Sequence, residues 1–242
     1  MPQQINHLGQ PIGMPVDNWQ PPAFPSRTAL SGNWCRLEPL DSDRHTADLY
    51  AANALDRVQR NWTYLAYGPF EDFEDYRSWV SRSAASSETL FFAIIDQLSN
   101  KAVGVASYLR IDPAQGAMEV GHLNFSPLLQ GRTAATEAMF LMMKNAFESG
   151  YRRYEWKCDA LNAPSRRAAE RLGFMFEGIF RQAAVYKGRN RDTAWYAMID
   201  ANWPTIKRIY ETWLNPVNFD HSGQQKLSLS ALIATIRCEH TE

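Results

Sequence analysis

The sequence predicts a single α/β (α+β) domain. Three observations carry that reading: strand-length runs of aromatic and β-branched residues separated by turn residues, amphipathic stretches bracketed by capping residues, and a composition able to fill one core. With 242 residues, 45% hydrophobic and 12% aromatic, the chain can bury a full core as one large domain with extensions. The expected element order is β, α, α, three β, α, β, α, two β.

Residues 1–30 carry Pro2, Pro11, Pro15, Pro21, Pro22 and Pro25 with little apolar periodicity. They read as an extended arm held to the surface by Trp19 and Phe24. From Asn33 to Pro39 apolar and polar residues alternate, as in a first strand with one buried side. Asp41 or Ser42 can cap a helix running toward Arg57. The aromatic segment Trp62–Phe73 contains Gly68-Pro69 and reads as a loop, with a helix after it from about Asp72 to Ser83.

Leu90–Ile95, Ala102–Ile111 and Met118–Phe125 are strands by composition, and their short connections favour antiparallel neighbours. A helix over Thr133–Glu148 carries the apolar stripe Met139, Met143, Ala146 and Phe147 and stops at Gly150. Tyr154–Cys158 reads as a strand and Pro164–Leu172 as a short helix closed by Gly173. Two last strands fall within Glu177–Lys187 and Thr193–Ile199, linked by a Gly188-Arg189-Asn190 turn. After Trp203-Pro204 comes an amphipathic helix, and Leu227–Ile236 fits strand or helix equally, serving packing or dimerisation. The chain divides into an arm (1–30), the domain (31–203) and a C-terminal helical extension with tail (204–242).

Twenty-five basic and 26 acidic side chains leave a net charge of −1, which gives no electrostatic drive toward nucleic acid or an anionic membrane. Cys35, Cys158 and Cys238 lack the spacing of zinc or redox sites. No run approaches the roughly 20 apolar residues of a membrane helix, and the first residues lack the pattern of a signal peptide. The expectation is a cytoplasmic protein without metal, acting on a small molecule or a protein, with a homodimer allowed.

The chemistry concentrates in Ser126–Ala138, where a strand ends, small residues follow and a helix begins. Such a junction presents free backbone N–H groups and the positive end of a helix dipole, which together suit an anion such as pyrophosphate. Gly131, Ala134 and Ala135 let backbone approach a ligand, and Arg132 adds positive charge. Many such turns hold no ligand.

Gln130-Gly131-Arg132-Thr133-Ala134-Ala135 resembles the pyrophosphate loop of the GNAT acetyltransferase superfamily, Gln/Arg-x-x-Gly-x-Gly/Ala, with Thr133 in place of the middle glycine. Asn162-Ala163-Pro164-Ser165, followed by Arg171-Leu172-Gly173-Phe174 and Glu177-Gly178, is similar to the signature of its RimJ/RimL-type branch, named for ribosomal-protein alanine N-acetyltransferases. The resemblance implies a mixed, mostly antiparallel sheet with helices on both faces, splayed between its fourth and fifth strands to admit acetyl-CoA. By match, Leu123 to Phe125 offer backbone groups to pantetheine, Gln130, Gly131, Arg132, Thr133, Ala134, Ala135 and Thr136 hold the pyrophosphate, and Asn162 and Ser165 face the thioester.

Each assignment has a structural alternative. Asn162 and Ser165 can cap the short helix. The tyrosine that many GNAT enzymes use to protonate the leaving thiolate is replaced by Ala169, so the acid role passes to Ser165. The family's glutamate base falls on Ala184, which leaves Glu119 as base or as a strand carboxylate paired with an arginine. His122, three residues on, should face the other side of the strand. Trp62 and Tyr64 either wall the acceptor pocket or pack the core. Cys158 lacks the partners of an acyl carrier, which favours direct attack of an amine on the thioester. The acceptor is a protein N-terminus or a small molecule, and a non-catalytic acyl-CoA-binding module is the alternative.

Overall fold

The computed structural model describes residues 3–221 and 223–239. The arm opens with a hairpin of β1 (Gln3–Ile5) and β2 (Pro11–Gly13), and β3 (Leu30–Ser31) joins the main sheet beside β4 (Cys35–Pro39). Phe24 is half exposed. The arm is fixed by the Trp19 ring lying over Gly116, by the Tyr151 hydroxyl donating to the Ala23 carbonyl (3.2 Å) and by Arg27 donating to the Ala84 carbonyl (2.7 Å).

Helix α1 (Ser42–Asn53) starts on Asp41, whose carboxylate accepts from the Asp43 and Arg44 amides. It stops short of Arg57, where exposed Leu55 and Val58 find no core to enter. Helix α2 (Phe73–Ala85) is capped by Asp72. Strands β5 (Leu90–Asp96), β6 (Ala102–Asp112) and β7 (Ala117–Phe125) follow, then α3 (Thr133–Glu148), β8 (Arg153–Asp159), α4 (Ala163–Arg171), β9 (Met175–Tyr186) and β10 (Arg189–Ile199). The β9–β10 turn is tighter than expected. Tyr186 pairs with Arg189 across Lys187 (φ 48°) and Gly188 (φ 69°), both left-handed as a two-residue hairpin turn requires. Helix α5 (Trp203–Leu214) follows, and the undecided C-terminal stretch is helical, as α6 (Leu229–Glu239). Its Leu229 and Ile233 are buried, with Ile233 seated against Gly173.

The eight-stranded sheet runs β3-β4-β5-β6-β7-β8-β10-β9, antiparallel throughout except for the parallel pair β7–β8. Helices cover both faces. Met139, Met143, Phe147, Tyr210 and Trp213 from α3 and α5 pack on one face, while Leu49, Tyr76, Trp79 and Val80 from α1 and α2 pack on the other. Glu137 of α3 pins the first long strand to the helix. Its buried carboxylate accepts the amides of Asn33, Trp34 and Cys35 at 2.6–2.8 Å, and a Cβ at Gly32 would collide with it. No helix among the described residues is long and apolar enough to cross a membrane.

Candidate active site

Strands β7 and β8 pair only from Ala117↔Arg153 to Val120↔Trp156. Beyond that point both continue without pairing, and the sheet opens between Gly121–Phe125 and Lys157–Asp159. A bulge accompanies the opening. Between the pairs Ser107↔Gly121 and Val105↔Asn124, one β6 residue faces two on β7, and the first of these, His122, is left-handed (φ 52°). The bulge also corrects the expectation for His122. Met118 and Val120 point to the α3 face, which leaves Glu119 on the α1/α2 face. His122 stacks on Tyr67 and lies against Phe91, so it shares the face of Glu119. Burial, with the Arg110 charge adding to it, pushes its imidazole down to about 4.

At the upper end of the opening, the loop after β7 folds into turns that use the amides of Leu129, Gln130 and Arg132 internally. The amides of Gly131, Thr133 and Ala134 make no hydrogen bond among the described residues, and they lie at the start of α3. Gly131 is left-handed (φ 71°), with open space where a Cβ would stand. Free amides on either side of Arg132, around a left-handed glycine, form a donor set at the positive end of a helix. These residues fit a pyrophosphate. Arg132 is exposed beside them, while Ala134 and Ala135 are buried against the core. The Thr136 hydroxyl turns away to accept from Arg171 (3.1 Å).

Gln130 is committed elsewhere. Its side-chain amide donates to the Phe125 carbonyl (2.7 Å) and to Asn61 Oδ1 (2.8 Å), and Asn61 Nδ2 donates to the same carbonyl (3.1 Å). The two acceptor positions of the Phe125 oxygen are thus filled.

On the opposite side of the opening, Asn162 caps α4 by accepting the Ser165 amide (3.1 Å). The Trp156 indole N–H donates to Ser165 Oγ (3.0 Å). Cys158 is buried beside this hydroxyl, and burial pushes its thiol up, which suits packing more than nucleophilic attack. Ala169 is buried on the inner side of α4, and Ala184 is exposed on β9.

Glu119 is the centre of a charge ladder across the sheet. Its Oε2 takes Arg110 (2.6 Å) and Lys157 (3.0 Å), Lys157 also bonds Glu155 (2.7 Å), and Glu155 bonds Arg153 (2.6 Å). Lys157 is 6% exposed and lies 3.6 Å above the Trp195 ring. The expected arginine partner is Arg110, but the lysine and the tryptophan beneath it carry no local sequence signal.

The Trp62 ring is taken up by the core, packed against Tyr67, Phe70 and Tyr76. Its carbonyl accepts from Lys187 at the hairpin tip (2.7 Å), and the Tyr64 hydroxyl donates to the Leu161 carbonyl (3.2 Å). The aromatic loop therefore reaches from the β9–β10 hairpin tip to the start of α4. On the β9–β10 hairpin, Phe180, Arg181, Gln182, Ala183, Asn190 and Asp192 line a cleft of about 730 Å³.

Residues 35–175, more than half of the chain, match the family described as the acetyltransferase (GNAT) domain. The chain belongs to the GNAT acetyltransferase family. A GCN5-related N-acetyltransferase from Brucella melitensis is 46% identical with a TM-score of 0.88, over 90% of this chain and 100% of that one. A probable GNAT-family acetyltransferase from Chromobacterium violaceum ATCC 12472 is 42% identical with a TM-score of 0.75, over 81% of this chain and 98% of that one. The ribosomal-protein-serine acetyltransferase of Escherichia coli (strain K12) is 32% identical over 98 residues, 40% of this chain and 54% of that protein. This last likeness accords with the RimJ/RimL-like branch, and the opening between β7 and β8 is the GNAT splay.

Proposed function

We propose that this GNAT protein binds acetyl-CoA and transfers its acetyl group directly to an α-amine or a similarly acidic amine. The free amides of Gly131, Thr133 and Ala134, beside the open strands, carry the reading. Acetyl-CoA supplies the acyl group as a thioester. Backbone at Leu123, the loop amides and Asn162 hold and orient it, with Arg132 adding positive charge.

Ser165 is the proposed proton donor to the leaving sulfur. The hydrogen bond it accepts from Trp156 fixes the hydroxyl and makes its proton easier to give up. Glu119, on the face opposite the α3 core, is the proposed proton acceptor through water, using the oxygen that takes neither ion pair. An α-amine, with a reference pKa of about 7.7–8.0 against about 10.4 for lysine, asks less of such a base. Tyr64 borders the acceptor side, and Trp62 supports it from within. The acceptor is a protein N-terminus or a small-molecule amine, and the name of the Escherichia coli relative, a ribosomal-protein-serine acetyltransferase, favours a protein.

A cytoplasmic location and a homodimer belong to the same proposal. Edge strand β9 exposes Phe176, Ile179, Phe180 and Val185, an apolar edge that a second copy can cover. Sedimentation velocity at micromolar concentration should show the dimer, and a monomer removes that part.

Thermal shift tests the cosubstrate. A ligand bound only by the native state adds about 2.7 kcal/mol at a hundredfold excess over Kd, so acetyl-CoA should raise Tm by several degrees. No shift at millimolar acetyl-CoA, with ATP or NAD stabilising instead, overturns the reading.

A further inference from the structure

Asn61 stands where three loops around the opening meet. Its side chain holds Gln130 of the phosphate loop and the Phe125 carbonyl at the end of β7, and its own amide is fixed by Asp56 Oδ2 (2.8 Å). The next residue, Trp62, anchors the aromatic loop in the core and receives Lys187 of the β9–β10 hairpin on its carbonyl. Two residues on, Tyr64 reaches the loop before α4. Gln130 touches both sides of this junction, because the residue after it, Gly131, carries the first of the free amides.

We propose that Asn61 is a positioning residue: through Gln130 it ties the acceptor-side segment 59–67 and the hairpin tip to the phosphate loop, so that an occupied loop holds the acceptor wall in place. The inference rests on the acetyl-CoA reading. Gln130 is exposed, and a neutral hydrogen bond in such a setting contributes only about 1 kcal/mol net, roughly fivefold in an equilibrium. The tie therefore forms and breaks readily in the free protein. A ligand on the neighbouring amides restricts the Gln130 backbone, lowers the entropic cost of the tie and shifts it toward the formed state. Reciprocity requires the tie to favour that ligand by the same factor and no more.

Hydrogen exchange on the full chain, with coenzyme A as the probe, tests this. In the wild type, saturating coenzyme A should slow exchange in residues 59–67 and 185–189 about fivefold. Asn61→Ala, Gln130→Ala and the double variant should each lose that slowing to the same extent, while coenzyme A Kd rises by no more than about fivefold. Gln130→Arg supplies donors to both acceptors and should restore the slowing, whereas Gln130→Glu, an acceptor only, should not. Slowing retained in Asn61→Ala overturns the proposal, as does coenzyme A binding to the wild type without any slowing. Failure of coenzyme A to bind the wild type removes the cosubstrate reading itself.

Discussion

Trp156 and Ser165 are joined by a 3.0 Å hydrogen bond from the indole N–H to the hydroxyl oxygen, across the gap between β8 and α4. The bond fills an acceptor position on Ser165, whose proton reaches the Cys158 sulfur beside it and would have to turn from it to serve a leaving thiolate. Ser165→Ala should lower turnover roughly 10²-fold or more with coenzyme A affinity unchanged. Trp156→Phe, which keeps the ring and drops the donor, should give a smaller loss in the same direction. Steady-state rates with Kd measured alongside check both, and a Ser165→Ala enzyme at the wild-type rate sinks the proton-donor assignment.

Thr133 offers a test in which binding and folding separate. It is the first residue of α3, its amide is unbonded, and Arg132 before it is extended (φ −91°, ψ 155°). Proline fits both the first helical position and that preceding conformation. Thr133→Pro should therefore leave Tm within about 2 °C of wild type while weakening coenzyme A binding about tenfold through loss of one charge-assisted bond. Thr133→Gly should bind at least as tightly as wild type. Equal Kd in all three proteins shows that the loop does not hold phosphate.

For Glu119, kinetics and stability have to be read together. Glu119→Gln should lower turnover by roughly 10² to 10⁴, with cosubstrate affinity held. Lys157 keeps Glu155 as a partner and Arg110 is largely exposed, so the stability loss should stay near 1–3 kcal/mol. A rate within about tenfold of wild type, in a protein that still melts cooperatively, assigns the proton to solvent.

Acid should loosen the acceptor side. Burial, then the Arg110 charge, lowers the His122 pKa from 6.5 to about 4, and burial likewise lowers that of His45. Between pH 6.5 and 4 the unfolded chain binds more protons than the folded one, so stability is lost as pH falls through that window. The His122 share is at most roughly 3 kcal/mol. Urea unfolding at stepped pH should show the slope, and His122→Gln should flatten part of it. An unchanged slope in that variant places the acid sensitivity elsewhere.

Most of the fold was legible because its signals are local. Asp41 and Asp72 cap the helices they precede, Gly150 and Gly173 follow the helices they end, and the strand runs keep their composition. The junction at Gly131 was legible for the same reason, as a strand, a glycine and a helix start in succession. The Asn61–Gln130 pair spans 69 residues and Trp62–Lys187 spans 125, and no periodicity reports such meetings. His122 was misplaced because alternation assumes a regular strand, and the bulge beside it inserts one residue into the count.

The grip of Glu137 on Asn33, Trp34 and Cys35 sets where the chain tolerates surgery. The helix that begins at the free loop amides also carries the carboxylate on which the first long strand hangs, so the strand and the proposed anion cradle share one support. Tags, fusions and deletions belong ahead of residue 30, where the arm rests on a few surface contacts. A cut made a few residues later would free the Glu137 carboxylate inside the core and unseat the helix start one turn away, disordering the proposed cosubstrate loop although none of the removed residues touches it.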